Sequence, residues 1–169
     1  MVAESSYHTP VLSREVMQWL VTDKAGVYVD GTLGGGGHTA ALLEVLQPCA
    51  RVIGVDRDPE ALLAAGERLA AHADAGAVTL VPSRFGALEE IVSRLAPGGL
   101  VDGLLLDLGV SSHQLDEATR GFSFMRDGPL DMRMDAGSSG TTLTAEAILN
   151  DWDPGAIADV LWKYGEELS

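Results

Sequence analysis

The residues best suited to chemistry are the run Asp30-Gly31-Thr32-Leu33-Gly34-Gly35-Gly36-Gly37-His38 and two later acids, Asp56 and Asp107, each of which closes a short apolar stretch. Consecutive glycines cost backbone entropy and add no packing, so they suit a place where the chain turns tightly and a ligand comes close to the backbone. A flexible linker is the alternative, but this run lies between Val27-Tyr28-Val29 and the aliphatic segment Thr39 to Leu46, with none of the flanking Ser and charge of a linker. A carboxylate at Asp56 can accept hydrogen bonds from two vicinal ribose hydroxyls. Asp56-Arg57-Asp58-Pro59 also reads as a turn and cap, a job that Asp58 already fits. Glycines after one strand and an acid ending the next suit a dinucleotide or S-adenosylmethionine. A dinucleotide places its pyrophosphate on helix-start amides, where Asp30 would repel it; the same acid would attract the ammonium of a methionine moiety. With Asp107 as a third strand-end acid, the pattern favours S-adenosylmethionine, cradled by the glycine run from Gly34 to Gly37 beside Asp30, Asp56 and Asp107.

Those residues need a scaffold. After Thr9-Pro10, a hydroxyl cap with proline at the first helical position, Val11, Val16 and Leu20 suggest a helix. Strands are then expected at Val27 to Asp30, Arg51 to Asp56, Val78 to Val81 and Val101 to Asp107. Helices are expected at Thr39 to Leu46, at Pro59 to Ala73 capped by Asp58, and at Ala87 to Leu95. Short apolar strands alternating with helices imply βαβ units and a parallel sheet, an α/β fold with strand order 3-2-1-4. Gly109 to Gly140 breaks this rhythm and is too long for an ordinary connection, which points to a functional loop. Helical signals return at Leu143 to Asn150 and Ala156 to Tyr164, and Ser138-Ser139-Gly140 suits a hinge between a domain over 1–137 and a helical piece over 138–169.

The bulk numbers restrict the function. At 169 residues and 46% hydrophobic the chain can bury one sizeable core. A net charge of -14 argues against nonspecific binding to nucleic acid. Cys49 is the single cysteine and His8, His38, His72 and His113 are scattered, so neither a disulfide framework nor a metal-spaced set is expected. Asp102, Gly103 and Asp107 interrupt the most apolar segment, and the first residues lack a signal pattern. No metal and no membrane partner are expected, and the location expected is cytoplasmic.

Several strings resemble one family: His8-Thr9-Pro10-Val11-Leu12, Asp30-Gly31-Thr32 with Gly36-Gly37-His38, Asp56-Arg57-Asp58-Pro59, Asp107-Leu108-Gly109-Val110-Ser111-Ser112 with Gln114-Leu115-Asp116, Arg120-Gly121-Phe122-Ser123-Phe124, Asp127-Gly128-Pro129-Leu130-Asp131-Met132-Arg133-Met134 and Tyr164-Gly165-Glu166-Glu167. In order, and over nearly the whole chain, they are similar to the MraW-like bacterial small-subunit ribosomal RNA methyltransferases. The resemblance implies a Rossmann-like, S-adenosylmethionine-dependent domain that methylates the exocyclic amine of a cytidine in the decoding region of 16S ribosomal RNA. It implies cofactor contacts at Gly36, Gly37, His38, Asp56, Phe85, Asp107 and Gln114. Phe85 could cover adenine or pack under the following helix.

For amine methylation, Asp107 is the candidate catalytic acceptor, although it could bind cofactor only. Phe122 or Phe124 are candidates to stack the base, His38 could assist proton loss, and Ser111, Ser112 and His113 lie near enough in sequence to join the site. Arg120, Arg126 and Arg133 are candidate contacts to RNA phosphate, with ion pairs to Asp127, Asp131 and Asp135 as the alternative. Family members continue beyond the point where this sequence stops, adding helices and further strands. A truncated chain with an open edge at strand four is therefore expected to retain cofactor weakly and to transfer little methyl, so a cofactor-binding but inactive fragment is the second reading.

Overall fold

A computed structural model describes residues 10–138, 140–141 and 143–165. The contacts divide the chain into two units, Met1–His113 and Gln114–Ser169, whereas the hinge composition pointed to a boundary at 137/138.

The first unit is a parallel sheet with helices on its faces. Its elements are α1 (Ser13–Leu20), β1 (Val27–Asp30), α2 (Gly37–Val45), β2 (Arg51–Asp56), α3 (Pro59–Asp74), β3 (Val78–Pro82), α4 (Leu88–Leu95) and β4 (Gly103–Leu105). Strand order is β3-β2-β1-β4, all parallel, as expected. Residues of opposite parity along each strand feed opposite faces. Tyr28, Val52 and Val78 join Met17, Leu33, Leu42, Ala65 and Leu69 in one core, and Val29, Ile53, Val55 and Val81 join Ile91 and Ala96 in the other. Asp58 caps α3 by accepting from the Glu60 amide at 3.1 Å, with Pro59 in the first turn, and Ala61, Ala65 and Leu69 form its buried stripe.

Several element boundaries differ from expectation. Thr9 lies outside the described residues, and α1 starts only at Ser13, because Leu12 takes a left-handed conformation at φ 53° that a helix interior excludes. Helix α2 starts earlier, at Gly37, with Gly36 as its left-handed cap. Strand β4 ends at Leu105 instead of Asp107. Its pairing with β1 stops at Asp30↔Leu105, and Gly31 donates the next bond, to the Leu105 carbonyl at 2.9 Å, before the chains separate.

The second unit contains most of the short helix α5 (Ser112–Asp116), then α6 (Ala145–Asp151) and α7 (Pro154–Tyr164). Among the described residues its buried side chains are Gln114, Arg120 and Asp135, all polar. A polar knot therefore organises the loop expected over Gly109 to Gly140. Arg120 and Met132 are joined backbone to backbone at 3.0 Å, and the Ala145 and Glu146 amides at the start of α6 donate to the Asp131 and Leu130 carbonyls at 3.0 and 2.8 Å. Among the described residues no helix is long and apolar enough to cross a membrane.

Candidate functional site

Strands β1, β2 and β4 deliver their carboxyl ends to one loop, and that loop is bonded to all three. Gly31 reaches β4 as above, the Leu33 amide donates to the Val55 carbonyl at 3.0 Å, and the Gly34 amide donates to Asp56 Oδ2 at 2.8 Å. The glycine turn and the strand-two acid, which the sequence places twenty-odd residues apart, are thus one structure. Asp56 Oδ1 accepts from the Asp58 amide at 2.9 Å. Each oxygen of this half-buried carboxylate still has a lone pair for another donor.

Asp30 does something other than expected. It is 1% exposed, and its two oxygens accept from the Thr32 amide at 3.2 Å and the Thr39 hydroxyl at 2.8 Å. Burial pushes its carboxyl pKa up from the ordinary 3.8, against the lowering effect of these bonds. The expectation that Asp30 meets a cofactor ammonium is corrected: Asp30 faces inward and shapes the glycine loop. Thr32 and Thr39, absent from the sequence-based set, complete this anchor. For Thr39 the available signal was a hydroxyl nine residues on from Asp30.

Two glycines give the loop its form. Gly36 sits at φ 76° directly over α3, where a Cβ would lie 3.1 Å from Leu69 Cδ1 and 3.3 Å from Ala65 Cβ. Gly34, at φ 52°, faces open space with no atom within 4 Å of a built Cβ. That opening, beside the start of α2, is where backbone amides without helical partners meet whatever occupies the site.

Asp107 lies two residues beyond β4 with its side chain 62% exposed. Its amide donates to Thr32 Oγ1 at 2.7 Å, and its Oδ2 lies 3.5 Å from His38 Nε2. The other His38 nitrogen, Nδ1, is buried and has no hydrogen-bond partner among the described residues. His38 thus turns Nε2, and not Nδ1, toward Asp107. Phe85 opens a single 3-10 turn after β3 and is 49% exposed, so its ring does not pack away beneath α4. His113 turns to Glu60 at 3.0 Å.

In the second unit the amide of buried Gln114 donates to the Met134 carbonyl at 3.2 Å. Arg120 shares that acceptor. It is 4% exposed, and its Nη2 donates to the carbonyls of Met134 at 2.9 Å and Arg133 at 3.3 Å. This corrects its assignment to RNA phosphate, since a guanidinium turned onto internal carbonyls holds the loop together. Arg133 grips Asp131 through Nε at 2.9 Å and Nη2 at 2.6 Å, donates to the Thr141 carbonyl, and holds the Asp131 carboxyl below its ordinary value. The local ion-pair alternative therefore describes Arg133. Arg126 is exposed, with Nη1 on the Asp116 carbonyl. Phe124 is 102% exposed and Phe122 is half-buried. No cluster of His, Cys, Asp and Glu among the described residues could hold a metal ion.

Strand order and the laced strand ends define a class, a Rossmann-like α/β domain that presents a ligand site at the carboxyl ends of its strands. The chain belongs to the MraW methylase family, whose family model matches residues 5–169. It is 52% identical over 161 residues to the Ribosomal RNA small subunit methyltransferase H of Heliobacterium modesticaldum, covering 95% of this chain and 50% of the relative. It is 53% identical over 163 residues to the protein of the same name from Magnetococcus marinus, covering 96% and 50%. The chain spans about half the length of the curated relatives it matches. A solved SAM-dependent O-methyltransferase from Thermotoga maritima aligns with 42% of this chain and 27% of its own at 18% identity and a TM-score of 0.38.

Proposed function

We propose that this chain is the cofactor-binding half of an S-adenosylmethionine-dependent methyltransferase acting on the exocyclic amine of a cytidine in the decoding region of small-subunit (16S) ribosomal RNA. The observation that carries the reading is the loop bonded to three strand ends, with an open face at Gly34, a half-buried acid at Asp56 and an exposed acid at Asp107. The names of the relatives support ribosomal RNA as substrate, and that substrate places the protein with ribosomes in the cytoplasm.

The residues present fit the cofactor. The opening at Gly34 leaves room against the backbone, Asp56 retains lone pairs for ribose hydroxyls, and Phe85 offers a free ring face for adenine. Gly37 and His38 would bring helix-start amides to the carboxylate end, while the Gly36 amide donates to the Leu33 carbonyl at 2.9 Å; Gly36 and Gln114 are contacts that the family resemblance adds. When bound, S-adenosylmethionine supplies an electrophilic methyl on a sulfonium.

The amine of cytosine is a weak nucleophile because its lone pair is delocalised into the ring. An acceptor for its N–H raises electron density on nitrogen and orients it. Asp107 is the exposed carboxylate available for this. Phe124 or Phe122 would stack an extruded base, and Arg126 would meet phosphate.

Labelled methyl transfer to undermethylated small subunits tests the proposal, and absence of transfer together with absence of cofactor binding refutes it. A second reading, cofactor binding without transfer, is favoured by β4. It is an edge strand of three residues with Leu104 exposed in it and Leu106 and Leu108 exposed in the segment just after it. Calorimetric binding without transfer would select it.

A further inference from the structure

The ladder between β1 and β4 ends at Leu105, so the segment that carries Asp107 leaves the sheet at an open edge. A carboxylate there would ordinarily sample many orientations. Two side chains of the glycine-loop segment hold it. Thr32 Oγ1 accepts from the Asp107 amide at 2.7 Å, a short bond across 75 residues of sequence. Thr32 is itself held, because its own amide donates to Asp30 Oδ1, and Thr39 closes the other oxygen of Asp30. His38, in the first turn of α2, brings Nε2 to 3.5 Å from Asp107 Oδ2. That separation is long for a formed hydrogen bond, as catalytic contacts commonly are before ligand binds.

The buried Nδ1 decides which way the ring works. With no acceptor in reach among the described residues, a hydrogen on Nδ1 would be enclosed and unpaired, which costs the full desolvation of that group. The hydrogen therefore belongs on Nε2, the ring nitrogen that lies 3.5 Å from Asp107 Oδ2.

We propose that Thr32 and His38 are positioning residues which hold Asp107 at two points, backbone and carboxylate, so that the loop taking the cofactor also sets the direction of the acid. The role in methyl transfer rests on the function proposed above, while the brace itself is a set of contacts within the protein. Asp30, Thr32 and Thr39 then act as one anchor, and occupancy of the loop and orientation of Asp107 are mechanically linked.

The test uses the 169-residue chain without cofactor, so that it does not depend on activity. Thr32→Val removes the acceptor and Thr32→Ser keeps it. Amide hydrogen exchange at Asp107, referred to the core amide of Val52, should quicken roughly fivefold to tenfold in Thr32→Val, the loss of about one ordinary hydrogen bond. It should stay near wild type in Thr32→Ser. Two-bond proton–nitrogen correlation spectra should show His38 as the Nε2–H tautomer. Equal exchange in Thr32→Val and wild type, a Thr32→Ser protein as fast as Thr32→Val, or an Nδ1–H tautomer would each overturn the brace. Should Thr32→Val not fold, Thr32→Ser and the tautomer still decide. Failure of wild-type protein to bind S-adenosylmethionine would instead sink the proposed function and leave the brace standing.

Discussion

Gly34 and Gly36 both have positive φ, yet alanine at the two positions should fail in opposite ways. A left-handed alanine costs about 1–2 kcal/mol, and at Gly34 that is the whole cost, because the space around a new Cβ is empty. At Gly36 the methyl also meets Leu69 at 3.1 Å and Ala65 at 3.3 Å, both fully buried on the core face of α3. Overpacking of that kind adds about 1–3 kcal/mol, for a total near 2–5 kcal/mol. Gly36→Ala should therefore unfold at clearly lower urea than Gly34→Ala, as followed by far-ultraviolet circular dichroism.

Binding should reverse the order. The methyl of Gly34→Ala projects into the space assigned to the cofactor, so S-adenosylmethionine affinity should fall about tenfold or more, equivalent to about 1.4 kcal/mol. The methyl of Gly36→Ala points into the core, and its folded fraction should bind more nearly like wild type. Calorimetry on both variants under conditions where each is folded reads this directly. Gly36→Ala as stable as Gly34→Ala would refute the packing argument; unchanged affinity in Gly34→Ala would refute the placement of the ligand.

Three further outcomes are expected. Because burial raises the Asp30 pKa above 3.8, the folded state holds that proton more tightly than the unfolded chain. The associated stability is full below about pH 3.8 and lost as pH rises through the higher native value. Asp30→Asn should remove this slope, and urea titrations from pH 4 to 7 that keep it in the variant would show that another group causes it. Arg120→Ala should leave the Met134 and Arg133 carbonyls short of a donor and cost about 2–3 kcal/mol in the second unit, read as faster amide exchange there. Arg126→Ala should change stability by less than about 0.5 kcal/mol. Phe85→Ala should raise the S-adenosylmethionine dissociation constant by up to about tenfold, with an unfolding midpoint close to wild type because the ring is half exposed.

The sheet was legible because its signals are local. Val27 to Asp30 and Arg51 to Asp56 are apolar runs ending in an acid, and their bounds in the structure agree. Asp58-Pro59 marks a helix start through cap chemistry that needs no distant partner. The end of β4 was not legible, since Leu106 and Asp107 read as strand and only the point where β1 turns away at Gly31 stops the pairing. Arg120 failed for a related reason. Sequence shows a charge in an acidic neighbourhood, but only the folded loop shows the guanidinium turned inward onto carbonyls thirteen and fourteen residues away. Thr32 was passed over because its partner is the Asp107 amide, a backbone group with no sequence signature.

The three strand-end acids show why residue type alone could not assign roles. Asp30, Asp56 and Asp107 look equivalent in sequence, yet they run from buried to half-buried to exposed. A carboxylate enclosed by Thr32 and Thr39 has no lone pair facing solvent and can only shape the chain. One that latches the Gly34 amide can shape the chain and still accept from a ligand, and one held through its backbone, with His38 beside a single oxygen, keeps the rest of an exposed carboxylate for a substrate. These roles depend on one another, because Asp30 fixes Thr32 and Thr32 fixes Asp107. A change at the buried acid should therefore be felt at the exposed one: faster amide exchange at Asp107 in an Asp30→Ala protein, with Asp56 still bonded to Gly34, would separate this chain of contacts from a general loosening of the loop.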